Sequence, residues 1–327
     1  MEKTVQQSPL KELLNGVTFM TFIMLAAIHI PVIGWMCYCF VPLPIIYYRL
    51  KLGRKPMMIL MTLTMLISIQ MSTGLSIYTL IVAELLVLGS VMAEFIRKEL
   101  SADETILYTT GILFIAGFFG LFYYSQMIST GMGVILSDCL NQYIAMNSNL
   151  YRDLGMSEEQ VQQLTQALKY ALIRIIPSIS IAFLMVSAWL NLLATRLIFQ
   201  NSQPGVPEYG ALNCWKSPEF LVWGVIASGA ILFIPSDSLQ ILGSNILIVL
   251  SVIYFFQGIA VISYFFEKRK VSKPALYVLY AFLVIHLPSV ILVMGIGLFD
   301  VWADFRKQNP ENNEPPDIQS GFPYDWF

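Results

Sequence analysis

Charge is what this sequence has least of. Only 12% of its 327 residues are Asp, Glu, Lys or Arg, against about 25% in an ordinary water-soluble domain. The formal net charge is −2, so no basic field exists to hold a nucleic-acid backbone. Histidine is scarcer still. The two present, His29 and His286, would have to recruit scattered ligands to build a zinc site. The four cysteines, Cys37, Cys39, Cys139 and Cys214, form no CxxC pair, and two of them sit in an apolar run. That pattern argues against a disulfide framework. Also missing are a glycine-rich phosphate loop, G-x-S-x-G, H-E-x-x-H and any kinase or ATPase motif. No cofactor is expected, and an enzyme is the minority reading.

What takes the place of charge is long apolar sequence. Hydrophobic residues make up 57% of the chain. The segments Val17–Phe40, Met57–Phe95, Ile106–Tyr124, Leu172–Phe199, Phe220–Ile234, Ile241–Phe266 and Ala275–Leu298 carry almost no charge. A bilayer core about 30 Å thick needs roughly 20 apolar residues per helical crossing. The expected fold is therefore an all-α, polytopic transmembrane bundle of eight or nine spans. Its parts are a short cytoplasmic segment at 1–15, one integral membrane domain at 16–307 and a polar tail at 308–327. The tail is rich in Asn, Glu and Pro, a composition that cannot build a core.

Boundaries follow from the interruptions. The N-terminal apolar run lacks a small-residue cleavage pattern, so it reads as an uncleaved first helix. A continuous helix over 17–48 would be about 48 Å long, which favours a hairpin turning near Pro31–Gly34, with one long kinked helix as the alternative. Arg49, Lys51, Arg54 and Lys55 form one basic loop, and Glu267, Lys268, Arg269, Lys270 and Lys273 flank another. With Arg97 and Lys98, these place the loops and the N-terminus in the cytoplasm. Between 130 and 170, polar residues interleave with Met, Leu, Ile and Tyr. This reads as two amphipathic helices turning at Leu154–Gly155, the second starting at Ser157 with Glu158 and Glu159 in its first turn. If the last apolar stretch folds back at Pro288 the tail lies inside, and if it is one helix the tail lies outside.

Polar residues inside such segments are the candidate functional positions, because ionisable groups in hydrocarbon are costly and usually face a cavity or the bundle interior. Glu84, near the middle of its span, is the sharpest. It is either a proton, cation or substrate contact, or a protonated acid bonded to a neighbouring helix. His29 and His286 each precede a proline, in Ile28-His29-Ile30-Pro31 and Ile285-His286-Leu287-Pro288. Broken helices at corresponding places can mark a transporter site, and the alternative is an imidazole satisfying freed carbonyls. Asn191, Asn245 and Gln257 are candidate ligand contacts that equally suit interhelical hydrogen bonding. Lys268, Arg269, Lys270 and the tail residue Trp326 are candidate partner contacts. The small-residue pairs Ala116/Gly120 and Ser178/Ala182 suggest close helix packing.

Several strings in order resemble one family. They are Val41-Pro42-Leu43-Pro44 running into Tyr47–Lys55, the Pro177 span with Asn191 and Arg196, Trp215–Trp223, Tyr254–Gly258 and Gly297–Lys307. Over about residues 17–307 the chain resembles the YybS-like family of bacterial multi-pass membrane proteins. That family is distantly similar to the substrate-binding components of energy-coupling-factor vitamin transporters. The resemblance implies a bacterial inner-membrane protein whose partners are the lipid bilayer and another membrane protein or an energising ATPase module. It supplies no functional residues. Taken together, the expected function is a small-molecule binding or transport component lacking its own ATPase. A membrane scaffold or regulatory partner is the second reading, and an intramembrane lipid-acting enzyme the third.

Overall fold

The computed structural model describes residues 9–29, 33–72, 74–153, 156–199 and 212–306. Among these residues every regular element is a helix. In chain order they are α1 (Pro9–His29), α2 (Ile33–Cys39), α3 (Pro42–Lys51), α4 (Arg54–Met71), α5 (Ile77–Arg97), α6 (Ala102–Met127), α7 (Met132–Asp153), α8 (Glu158–Phe199), α9 (Leu221–Ile231), α10 (Asp237–Lys268), α11 (Lys273–Ile285) and α12 (Leu287–Ala303). A 3-10 turn at Leu212–Cys214 precedes α9.

Local chemistry explains several boundaries. Ser76 and Thr79 cap α5 reciprocally, and Ser101 and Glu104 do the same for α6. Each pair satisfies backbone donors that the first helical turn leaves open. At the start of α8, Gln160 accepts from the Ser157 backbone while Ser157 Oγ accepts from Gln160 N. That is the start expected at Ser157. The expected separate helix does not follow, however: α8 continues through Pro177 for 42 residues. At 1.5 Å per residue it is about 63 Å long, roughly twice a bilayer core. Nothing between Glu158 and Leu172 is a Gly or Pro, so polarity changes along α8 without a break in the backbone. The proposed turns at Pro31–Gly34 and Leu154–Gly155 include residues outside the described set.

Among the described residues, four helices are long and apolar enough to cross a membrane: α5, α6, α8 and α10. Shorter apolar helices lie at Leu13–Ala26, Leu221–Ile231 and Pro288–Ala303. On α6, the side chains of Leu107, Ile112, Ile115, Phe118, Phe119, Phe122 and Tyr123 are exposed. A belt of that size needs lipid rather than water against it.

The helices form two units. In the first, α1–α7 and most of α8, α5 packs against α3, α4 and α6, while α1 packs on α2 and α4. Its centre holds the fully buried Ile45, Ile46, Leu60, Leu85, Leu88, Met92 and Leu113. The second unit joins the Pro177–Ala182 segment of α8 to α9–α12. Here α12 lies along α10, and two glycines set how closely. An added Cβ on Gly258 would strike the backbone of Val293, and one on Gly297 would strike the backbone of Tyr254 and Gly258. Small residues permit this backbone approach where lipid gives helices no hydrophobic reason to associate.

Candidate functional site

The seam between α5 and α6 presents the sharpest of the polar positions. On α6, Thr105, Thr109, Leu113 and Gly117 recur every fourth residue and so share one face. Near one end of the seam the Phe95 and Tyr108 rings meet at 6.2 Å. Toward the other, the Glu84 carboxylate lies against Gly117, in the space that any β-carbon there would fill. Glu84 is partly buried, and among the described residues no donor or cation engages it. The hydroxyls of Thr105 and Thr109 are buried on the same face without a hydrogen-bond partner. A carboxylate in a helix of spanning length, beside a gap in the neighbouring side chains, is equipped to accept a donor or cation.

A second polar arrangement sits where α2 breaks into α3. Proline lacks an N–H, so Pro42 and Pro44 cannot continue the helical ladder. Leu43 N turns back to Phe40 O instead, leaving the Cys39 carbonyl without a backbone donor. Helix α8 supplies the replacements: Ser187 Oγ donates to Cys39 O at 2.9 Å and Asn191 Nδ2 donates at 2.6 Å. Asn191 is completely buried, and its Nδ2 also donates to Ser187 O at 2.7 Å.

In the second unit, Gln257 bridges a buried network. Its Oε1 accepts from both Ser217 N and Ser217 Oγ, and its Nε2 donates to Asp300 Oδ2 at 3.1 Å. Asp300 is paired with Arg306 at 2.7 Å, and both side chains have no solvent-exposed surface. Arg306 Nη1 also donates to the carbonyls of Asn213 and Trp215, and Phe305 N donates to Asp300 Oδ1. Buried charges persist when paired and hydrogen-bonded in this way. The network fastens the 213–217 loop to the ends of α10 and α12. Lys216–Asp304 and Asn213–Glu267 contacts add to it at the surface.

The remaining sequence-derived candidates have separate local surroundings. Asn245 Oδ1 accepts from Ser178 N at 3.0 Å, joining α10 to α8 beside Pro177. His286 links α11 to α12. It is exposed, stacks on Phe282 with centroids 5.0 Å apart, and shares a hydrogen bond with Ser289 at 2.7 Å. His29 ends α1, but its side chain lies outside the described residues, as does Trp326. Lys268, Arg269 and Lys270 are exposed at the end of α10. Within the first unit Asn191 joins α8 to the α2–α3 break, and within the second Gln257 sits in a network and Asn245 joins α10 to α8.

Sequence reasoning missed the ion pairs Asp300–Arg306, Arg49–Glu94 and Lys216–Asp304. Arg306 reads as a topology-setting loop cation and Asp300 as part of a family string, yet they meet in the interior. The available signal was an acid inside the apolar run Gly297–Trp302. Arg49 reads as a loop residue too, but it is 8% exposed and its Nε donates to Glu94 Oε1 at 2.8 Å.

One family of predicted membrane proteins, DUF2232, matches residues 18–301, and the chain belongs to it. No curated protein and no solved structure matches the chain.

Proposed function

We propose that this predicted membrane protein is a small-molecule binding or transport component whose working position is Glu84. The observation that carries the reading is the Glu84 carboxylate set against Gly117 with no protein donor among the described residues. An acid at membrane depth is costly unless it contacts a partner, a cavity or water. The break at Phe40–Val41, in the same unit, agrees with the reading, because transporter sites often lie beside interrupted helices. The resemblance to the YybS-like family implies the same class, through that family's distant similarity to substrate-binding components of energy-coupling-factor transporters. The chain carries no ATPase motif, so energy comes from a partner module or an ion gradient. Its setting in this reading is a bacterial cytoplasmic membrane, with eight or nine crossings and the N-terminus inside.

A site that takes up a small polar molecule must admit water. In a variant with the four native cysteines replaced by alanine, Glu84→Cys is therefore expected to react with a small charged methanethiosulfonate reagent in intact membranes. A folded variant whose introduced thiol stays unreactive would contradict the proposal, leaving Glu84 a packing residue. The scaffold reading draws on one separate observation, the exposed Lys268, Arg269 and Lys270 at the end of α10.

A further inference from the structure

We propose that the face of α8 carrying Ser187, Asn191 and Thr195, set against the α2–α3 break, binds a dehydrated monovalent cation. The three residues are spaced by four, so they line one side of the helix. That side is fixed against α2 and α3: Ser187 and Asn191 reach Cys39 O, and Phe199, one turn past Thr195, packs on Tyr47 with centroids 5.7 Å apart.

The polar atoms on this face are unevenly satisfied. Asn191 spends both amide hydrogens on carbonyls, which fixes its Oδ1 as the remaining atom. That oxygen is buried and has no donor, and Thr195 Oγ1, one turn on, is also buried and without a partner. Asn191 is 0% and Thr195 1% exposed. An unsatisfied buried polar group costs about 1–3 kcal/mol, and two such groups on one face call for an explanation. A cation supplies what both oxygens lack, and Ser187 Oγ keeps lone pairs while donating to Cys39.

The donor set selects the ion class. Amide and hydroxyl oxygens without a carboxylate suit a singly charged hard cation, whereas calcium and magnesium sites are built around Asp or Glu. Interrupted helices beside such oxygens are also where transporters hold coupling ions. This inference stands apart from the reading of Glu84, which lies on another helix and plays no part in it.

The test is thermal unfolding of the full-length protein in detergent, with sodium or potassium replacing choline at constant ionic strength. A saturable rise of about 3 °C with one of the alkali cations is expected. Thr195→Val keeps the shape and removes the oxygen, so it should lose the rise. Thr195→Ser keeps the oxygen and should retain it. Should Thr195→Val not purify, Thr195→Ala against Thr195→Ser makes the same comparison. No alkali-dependent rise in the natural protein overturns the proposal and leaves an ordered water as the partner of these oxygens. A rise unchanged by removing the Thr195 hydroxyl overturns it as well, by placing the ion elsewhere.

Discussion

The Asp300–Arg306 pair places two opposite charges in the interior of the second unit. Both side chains are fully enclosed, so removing one strands the other charge in a low-dielectric interior. Asp300→Leu or Arg306→Met alone is expected to destabilise by about 3–5 kcal/mol, and the double replacement by clearly less than the sum of the two. Unfolding in detergent, run as a double-mutant cycle, measures the difference. An additive cycle would show that the pair is not coupled. The pair was hard to read because the two residues are six apart, outside the i,i+4 spacing that a helix brings together. They meet because Asp304 takes a left-handed conformation, φ 39° and ψ 58°, which turns the chain back after α12. An isolated Asp in that position is uncommon, and nothing in the apolar run before it announces the turn. Glu84, by contrast, was legible at once, since an acid surrounded by Leu, Val and Ile stands out without any knowledge of its neighbours. That Gly117 faces it from the next helix was not legible, because helix-to-helix register leaves no mark in local sequence.

At the scale of elements, helix contacts depend on which small residues meet backbone. Ala116/Gly120 reads as a packing pair, yet an added Cβ on Gly120 would meet nothing within 4 Å. The close crossing belongs to α10 and α12, at Gly258 and Gly297. Gly258→Ala and Gly297→Ala are therefore expected to destabilise by roughly 1–3 kcal/mol each through overpacking. Gly120→Ala is expected to be neutral or slightly stabilising, by up to about 1 kcal/mol from helix propensity. Melting temperatures of the three variants in one detergent check the ranking, and a Gly120→Ala variant as unstable as the other two would contradict it. A glycine in an apolar stretch signals that packing is possible, and only the partner helix decides whether it happens. The same limit applies to α8. Its polar and apolar halves suggest two elements, but helix continuity depends on breakers, and Pro177 does not stop it. Asn245 accepts from the amide beside that proline.

At the scale of the whole molecule, composition alone settled the solvent and the helical class. Low charge and repeated apolar runs leave helices in lipid as the physical solution, and four of the described helices are long and apolar enough to cross it. The count of crossings was less legible. Apolar runs of the right total length resolve into short helices: α2 has 7 residues, α3 has 10, α9 has 11 and α11 has 13. At 1.5 Å per residue, none of these four alone spans a core about 30 Å thick. Hydropathy sums over a window do not register where a helix ends. His286 shows why: extended backbone at one residue divides the last run, and Pro288 then begins α12 in the first turn, where its missing N–H costs little.

The proposed function turns on Glu84, and native mass spectrometry of protein purified from its own membranes tests it most directly. The natural protein is expected to retain a small molecule that Glu84→Gln loses. Gly117→Ala should lose it too, because its β-carbon would displace the Glu84 carboxylate while leaving the charge in place. All three proteins should elute as folded species. A molecule held equally by both variants, or a natural protein that carries only a protein partner, would contradict Glu84 as the working position and turn attention to the scaffold reading.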